Sequence, residues 1–185
     1  MEAGGEAVRI LVGGGARSGK SAFALGLARR LGPRRVYVAT GKAVDLEMAA
    51  RIARHAKERG ADFRTVEAPL GLVEALRGIE GADVVVVDCV TFWLSNLLLR
   101  GDSEEEVLGQ VERLAGTLRE KPFHAILVTN EVGMGVVPDT PLGRAFRDVA
   151  GRAHQAIARA VDEVYFGALG MMVRLRPQPL AVVAP

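Results

Sequence analysis

The chain has 185 residues, 49% of them apolar, a formal net charge of +2 and one cysteine, Cys89. That length and apolar content suit one domain over 1–185, with a core at 7–175 and a tail at 176–185. An internal disulfide and a membrane span of about 18–20 apolar residues are excluded, charge alone does not suggest nucleic-acid binding, and no signal-peptide pattern opens the chain, which therefore reads as cytoplasmic.

In chain order, Ala7–Gly13 is expected to be a buried strand. The glycine-rich stretch Gly14–Ser21 follows. Lys20–Gly32 has the apolar spacing of a helix ending at glycine, with Pro33 just beyond. Arg35–Thr40 reads as a second strand, and Asp45–Gly60 as a helix capped by Asp45 and stopped by Gly60. A short strand, Phe63–Ala68, leads to a short helix over 70–79. Asp83–Cys89 carries the unbroken β-branched run of a central parallel strand. Helices over 91–100 and 103–120 are separated by Gly101 and Asp102, and Phe123–Asn130 is another buried strand. Thr140 caps a long helix with Pro141 at its first position. Residues 163–170 and 171–177 read as a C-terminal hairpin at the sheet edge, and the tail beyond carries no signal. Strands alternating with helices imply an α/β fold, a mostly parallel sheet flanked by helices. Ligands bind such sheets at the carboxyl ends of the strands.

Gly14-Gly15-Ala16-Arg17-Ser18-Gly19-Lys20-Ser21 matches G-x-x-x-x-G-K-S. Backbone N–H groups of such a loop, with the N-terminus of the following helix, hold phosphate oxygens. Lys20 is expected to reach the outer phosphates and Ser21 to ligate Mg2+. A strand precedes and a helix follows, as the motif requires. Asp88 ends an apolar strand, where a carboxylate holds the magnesium directly or through water. An ordinary strand-end aspartate is the alternative. The loop alone does not separate a kinase from an ATPase or a GTPase switch. Thr129–Gly133 lacks the lysine and aspartate of the guanine-reading N-K-x-D, which disfavours a switch.

His124 opens a strand and His154 lies in a long helix near Ala150 and Ile157, so structural roles fit both. His55 differs. Arg51, His55 and Arg59 share one helix face, with Arg54 and Lys57 nearby. Met48, Ala49, Ile52, Ala53 and Ala56 are expected to cover mostly the other side. A ring nitrogen there can attack phosphorus while the arginines neutralise phosphate charge. On the pattern alone, a solvated basic face is the commoner meaning.

Several stretches together resemble the bifunctional adenosylcobinamide kinase/adenosylcobinamide-phosphate guanylyltransferase family of cobalamin biosynthesis. They are GGARSGKS, VYVATG, EMAARIARH, FRTVEAP, LVTNEVGMGVVP and GRAFRDVAGRAHQ, in order from about Ile10 to about Leu175. The resemblance implies a P-loop NTPase with a RecA-like sheet. It implies phosphorylation of adenosylcobinamide by ATP or GTP, then transfer of GMP from GTP to adenosylcobinamide phosphate through a GMP–histidine. His55 matches that histidine. By the same resemblance, Gly14–Ser21 hold phosphates, and Ala39, Thr40 and Gly41 line the nucleotide site. Glu67 and Asp88 are its carboxylates, and Glu58, Arg59, Gly60 and Ala61 touch nucleotide. Asn130–Pro138 shapes the corrinoid side. Members form homo-oligomers, usually trimers. Two positions depart from the family pattern. His154 stands where G-R-x-N-Q has asparagine, and Asp88 stands where some relatives carry glutamate. The rival readings are a small-molecule kinase without a covalent intermediate and a non-catalytic or RecA-type NTP-binding module. The absence of a basic stripe and of aromatic stacking platforms weighs against a nucleic-acid partner.

Overall fold

The computed structural model describes residues 6–43 and 45–183, without the side chains at 47, 48, 51, 58 and 181–183. The side chains of Met48, Arg51 and Glu58, all singled out above, thus lie outside the described residues. Parallel strands β1 (Arg9–Gly14), β2 (Arg35–Ala39), β3 (Phe63–Glu67), β4 (Val84–Asp88), β5 (His124–Val128) and β6 (Glu163–Ala168) are joined by antiparallel β7 (Met171–Arg176) and β8 (Ala181–Val183). The helices are α1 (Lys20–Leu31), α2 (Leu46–Arg59), α3 (Leu72–Arg77), α4 (Val90–Arg100), α5 (Glu104–Glu120) and α6 (Pro141–Ala160). The strand order is β3-β2-β4-β5-β1-β6-β7-β8.

The four valines of β4 explain the layering. Side chains along a strand alternate between the two faces of its sheet, so a run apolar on both faces must be covered twice. Val84 and Val86 pack with Phe23, Ala24 and Ala28 of α1. Val85 and Val87 pack on the other face with Leu72, Trp93, Leu114 and Ala150, drawn from α3, α4, α5 and α6. Each large side chain buried in these layers contributes about 1.5–3 kcal/mol. Local signals set the helix ends. Ser103 and Glu106 form a reciprocal capping box at α5, and the Thr140 hydroxyl accepts from the Gly143 N–H at 3.1 Å above Pro141. Among the described residues no helix is long and apolar enough to cross a membrane.

Two expectations need correction. The C-terminal hairpin is present as β6–β7, but β6 is not at the edge. It pairs in parallel with β1 from Ile10↔Glu163 to Gly14↔Gly167, and the tail strand β8 covers β7. This pairing spans the length of the chain and leaves no local mark. The second correction concerns α2. Its apolar residues do not form a buried face opposite His55, because Ala49 and Ala53 are exposed. Ile52 shares the side of His55 and Arg59, since positions i, i+3 and i+7 fall on one helical face.

Candidate active site

The carboxyl ends of β2, β3 and β4 and the start of α1 border a cavity of about 500 Å³. Small-ligand sites span about 300–1,000 Å³. Of the residues singled out in the sequence, Lys20, Ser21, Ala39, Gly41, His55, Arg59, Glu67 and Asp88 line it. Strand register explains why the acids meet. Ala39 pairs with Glu67 on one side and with Asp88 on the other, so three strand ends place both carboxylates around one opening.

The phosphate loop spans the turn from β1 to α1. Gly14 has φ +146, and a Cβ on it would lie 2.5 Å from the Gly167 carbonyl oxygen and 2.8 Å from Ser18 Oγ. Only glycine lets β6 approach the loop this closely. Gly15, Ala16, Arg17, Ser18 and Gly19 continue the loop. Gly19 is left-handed at φ 88, and so is Arg17 at φ 55. Lys20 Nζ donates to the Gly15 carbonyl at 2.9 Å, which folds the lysine across its own loop.

Behind the wall lies a supporting layer. Thr40 is fully buried rather than on the wall. Its hydroxyl donates to the Cys89 carbonyl at 2.7 Å and accepts from the Cys89 N–H at 2.8 Å, which ties the end of β2 to the end of β4. Asn96 of α4 donates to the Thr40 carbonyl at 2.8 Å and to the Pro69 carbonyl at 2.9 Å. Cys89 lines the cavity, but burial and then the Asp88 charge push its thiol up to about 12, which favours the protonated thiol at neutral pH. Gly60 and Ala61 form the exposed turn between α2 and β3 and do not line the cavity.

The other two histidines make hydrogen bonds away from the cavity lining. His124 Nδ1 accepts from the Val8 N–H at 3.0 Å. His154 Nε2 lies 2.7 Å from Thr129 Oγ1, which lies 3.0 Å from Thr91 Oγ1. The Asn130 N–H donates to that Thr91 oxygen at 2.6 Å. Burial lowers the His154 pKa against a smaller upward pull from Glu131. This relay sets Asn130 on the cavity wall. The loop beyond it is pinned at both ends. The Glu131 N–H donates to the Gly14 carbonyl at 3.0 Å, and Arg144 donates to the carbonyls of Pro138 and Asp139 at 3.0 and 2.8 Å. Between these pins Met134 and Val136 are 82% and 94% exposed.

Sequence reasoning missed Tyr37, Ile52, Pro69, Cys89 and Phe92 on the wall. Tyr37 was within reach of the strand period, two residues before Ala39 on the same face of β2. The Arg59 guanidinium lies 4.2 Å from the centroid of its ring. Its hydroxyl faces Asp88. Burial, then the charge of that carboxylate, holds its pKa far above the ordinary tyrosine range.

The chain is similar to known proteins along most of its length. A bifunctional adenosylcobalamin biosynthesis protein, CobP, from Pseudomonas aeruginosa is 45% identical over 94% of this chain and 100% of its own. The bifunctional adenosylcobalamin biosynthesis protein CobU of Escherichia coli is 39% identical over 90% of this chain and 99% of its own. The RadB recombinase crystal structure superposes with a TM-score of 0.54 at 16% identity, over 96% of this chain and 88% of that one, which bears out the RecA-like fold. Residues 10–175 match the family described as cobinamide kinase/cobinamide phosphate guanyltransferase, and the chain belongs to that family.

Proposed function

We propose that one cavity performs two transfers: phosphorylation of adenosylcobinamide by ATP or GTP, then guanylylation of adenosylcobinamide phosphate by GTP. The observation that carries this reading is that His55 lines the same cavity as Lys20, Ser21 and Asp88. A kinase needs the last three, and nothing in γ-phosphoryl transfer calls for the histidine. In the kinase step the aminopropanol oxygen bonds to the γ-phosphorus as the β–γ bridging P–O bond breaks; the nucleoside diphosphate leaves with the electron pair, the hydroxyl proton passes to solvent, and Lys20 and the loop amides stabilise the charge on the transferring group. In the second reaction a His55 ring nitrogen attacks the α-phosphorus of GTP. The P–N bond forms as the bridging P–O bond breaks, and pyrophosphate leaves with the electron pair. A phosphate oxygen of the phosphorylated corrinoid then attacks the phosphoramidate, takes GMP and frees the imidazole.

Ser21 and Asp88 present hard oxygen donors at the cavity, which suits Mg2+. Among the described residues no group of three or more His, Cys, Asp or Glu side chains is placed to hold a metal, so the nucleotide and water would supply the remaining ligands. Bound magnesium would neutralise phosphate charge. Exposed Met134 and Val136, on the loop that begins at the cavity-lining Asn130, support that loop as the corrinoid side. The same reading takes the chain as one domain over 1–185, working in the cytoplasm as a homotrimer without a nucleic-acid partner.

The test uses GTP labelled at the α-phosphate. With magnesium and GTP the denatured protein should carry label that is acid-labile and base-stable, as a phosphoramidate is. His55→Ala should abolish it. A wild-type protein that takes no α-label, or a His55→Ala variant that labels equally, overturns the guanylyltransferase mechanism. Transfer of the γ-label alone would mark a simple kinase, and hydrolysis stimulated by a polymer would mark a RecA-type module.

A further inference from the structure

Arg59 ends α2 one turn after His55, and both line the nucleotide cavity. Its guanidinium lies over the Tyr37 ring, 4.2 Å from the centroid, and its Nε is buried without a hydrogen-bond partner. The last turn of α2 is fastened at a second point, where Arg29 Nη2 donates to the Arg59 carbonyl at 3.2 Å. Tyr37 itself is only 6% exposed and meets Phe63 edge-on, with ring centroids 6.5 Å apart. It therefore forms a fixed platform between the helix of the nucleophile and the end of β4.

We propose that Tyr37 is a positioning residue for the nucleotidyl-transfer half of the chemistry. Its ring sets the Arg59 guanidinium beside His55. This rests on the reading of His55 as the nucleophile. A cation over an aromatic face is held by the ring quadrupole, most strongly where water is excluded. A guanidinium held over a ring face keeps its N–H donors in its own plane, directed outward where they match phosphate oxygens. When the His55 nitrogen bonds to the α-phosphorus, charge builds on the α-phosphate and on the departing pyrophosphate oxygen. Arg59 then supplies an N–H donor one turn from the attacking ring. Transfer of the γ-phosphoryl group draws on Lys20 and the loop amides instead, so the two activities should respond differently to loss of the platform.

The experiment measures two rates on each variant: protein labelling from α-labelled GTP, and transfer of γ-label from GTP to adenosylcobinamide. Tyr37→Leu should slow α-labelling by about tenfold or more and γ-transfer by less than about threefold. Tyr37→Phe keeps the ring and should hold α-labelling within about threefold of wild type. Arg59→Ala should match Tyr37→Leu in α-labelling, and the double variant should lose nothing further, because one residue acts through the other. Equal loss of both rates in Tyr37→Leu, or losses that multiply in the double variant, would overturn the proposal. If Tyr37→Leu does not fold, Arg59→Lys carries the test. It keeps the charge without the planar stack, and an unchanged ratio of the two rates would sink the idea. A wild-type protein without α-label defeats the reading of His55 before any Tyr37 variant is made, so the two failures are distinct.

Discussion

Helices α4 and α2 flank the same cavity and are held in opposite ways. α4 buries Val90, Thr91, Trp93, Leu94 and Leu97, and through Asn96 it grips the chain leaving β2 and β3. None of the described residues of α2 is buried, and Leu46 at its start is 90% exposed. The structure is stiff where it supports Asp88 and sparing where it carries His55. Few buried contacts let an element open or shift at low cost. A nucleophile that must meet an α-phosphorus, in a cavity that also serves γ-transfer, gains from such a mount.

The largest test of this contrast is Trp93→Ala. The ring is fully buried, and its Nε1 donates to the Leu70 carbonyl at 2.9 Å. Truncation should cost about 3–5 kcal/mol in urea unfolding. A loss below about 1 kcal/mol would mean that α4 is no stiffer than α2.

A smaller effect concerns the relay that reaches α4 through Thr91. Burial lowers the His154 pKa from its ordinary 6.5. The unfolded chain then binds the proton more readily than the folded one. His154 should therefore contribute stability that is full above about pH 6.5 and is lost as the pH falls through the depressed folded value. Urea midpoints between about pH 5 and pH 8 should show that slope, and His154→Asn should flatten it. An unchanged slope in the variant would place the titration elsewhere.

The smallest expected effect is at Leu46→Ser, which should change stability by no more than about 0.5 kcal/mol. A cost near that of Trp93→Ala would break the comparison outright, because it would mean that the exposed start of α2 is covered in solution.

Much of this was legible in the residues themselves. The glycine loop, the valine run of β4 and Thr140-Pro141 are local devices, and each acts on residues a few positions away. Loop spacing and a strand end pointed to Lys20 and Asp88, whereas His55 was picked out by the family resemblance, because its helix period alone fits a solvated basic face. What stayed hidden depends on distant pairing. The place of β6 beside β1 is decided by contacts across the chain, and the stack of Arg59 on Tyr37 joins a helix to a strand that its own pattern does not name. The exposure of α2 was misread for a related reason. Its spacing is amphipathic, but whether anything covers an apolar stripe is settled by neighbours and not by period.

The place of β1 has a consequence for synthesis. This strand is made early, yet its partners lie more than a hundred residues away, with Arg9 beside Ala125 and Ile10 beside Glu163. A ribosome adding about 5–20 residues per second leaves that strand unpaired for on the order of ten seconds. The loop that begins at Gly14 waits longer still, because Gly167 must lie alongside it. A nascent chain can therefore gather β2 and β4 before β6, the close neighbour of the phosphate loop, has been made.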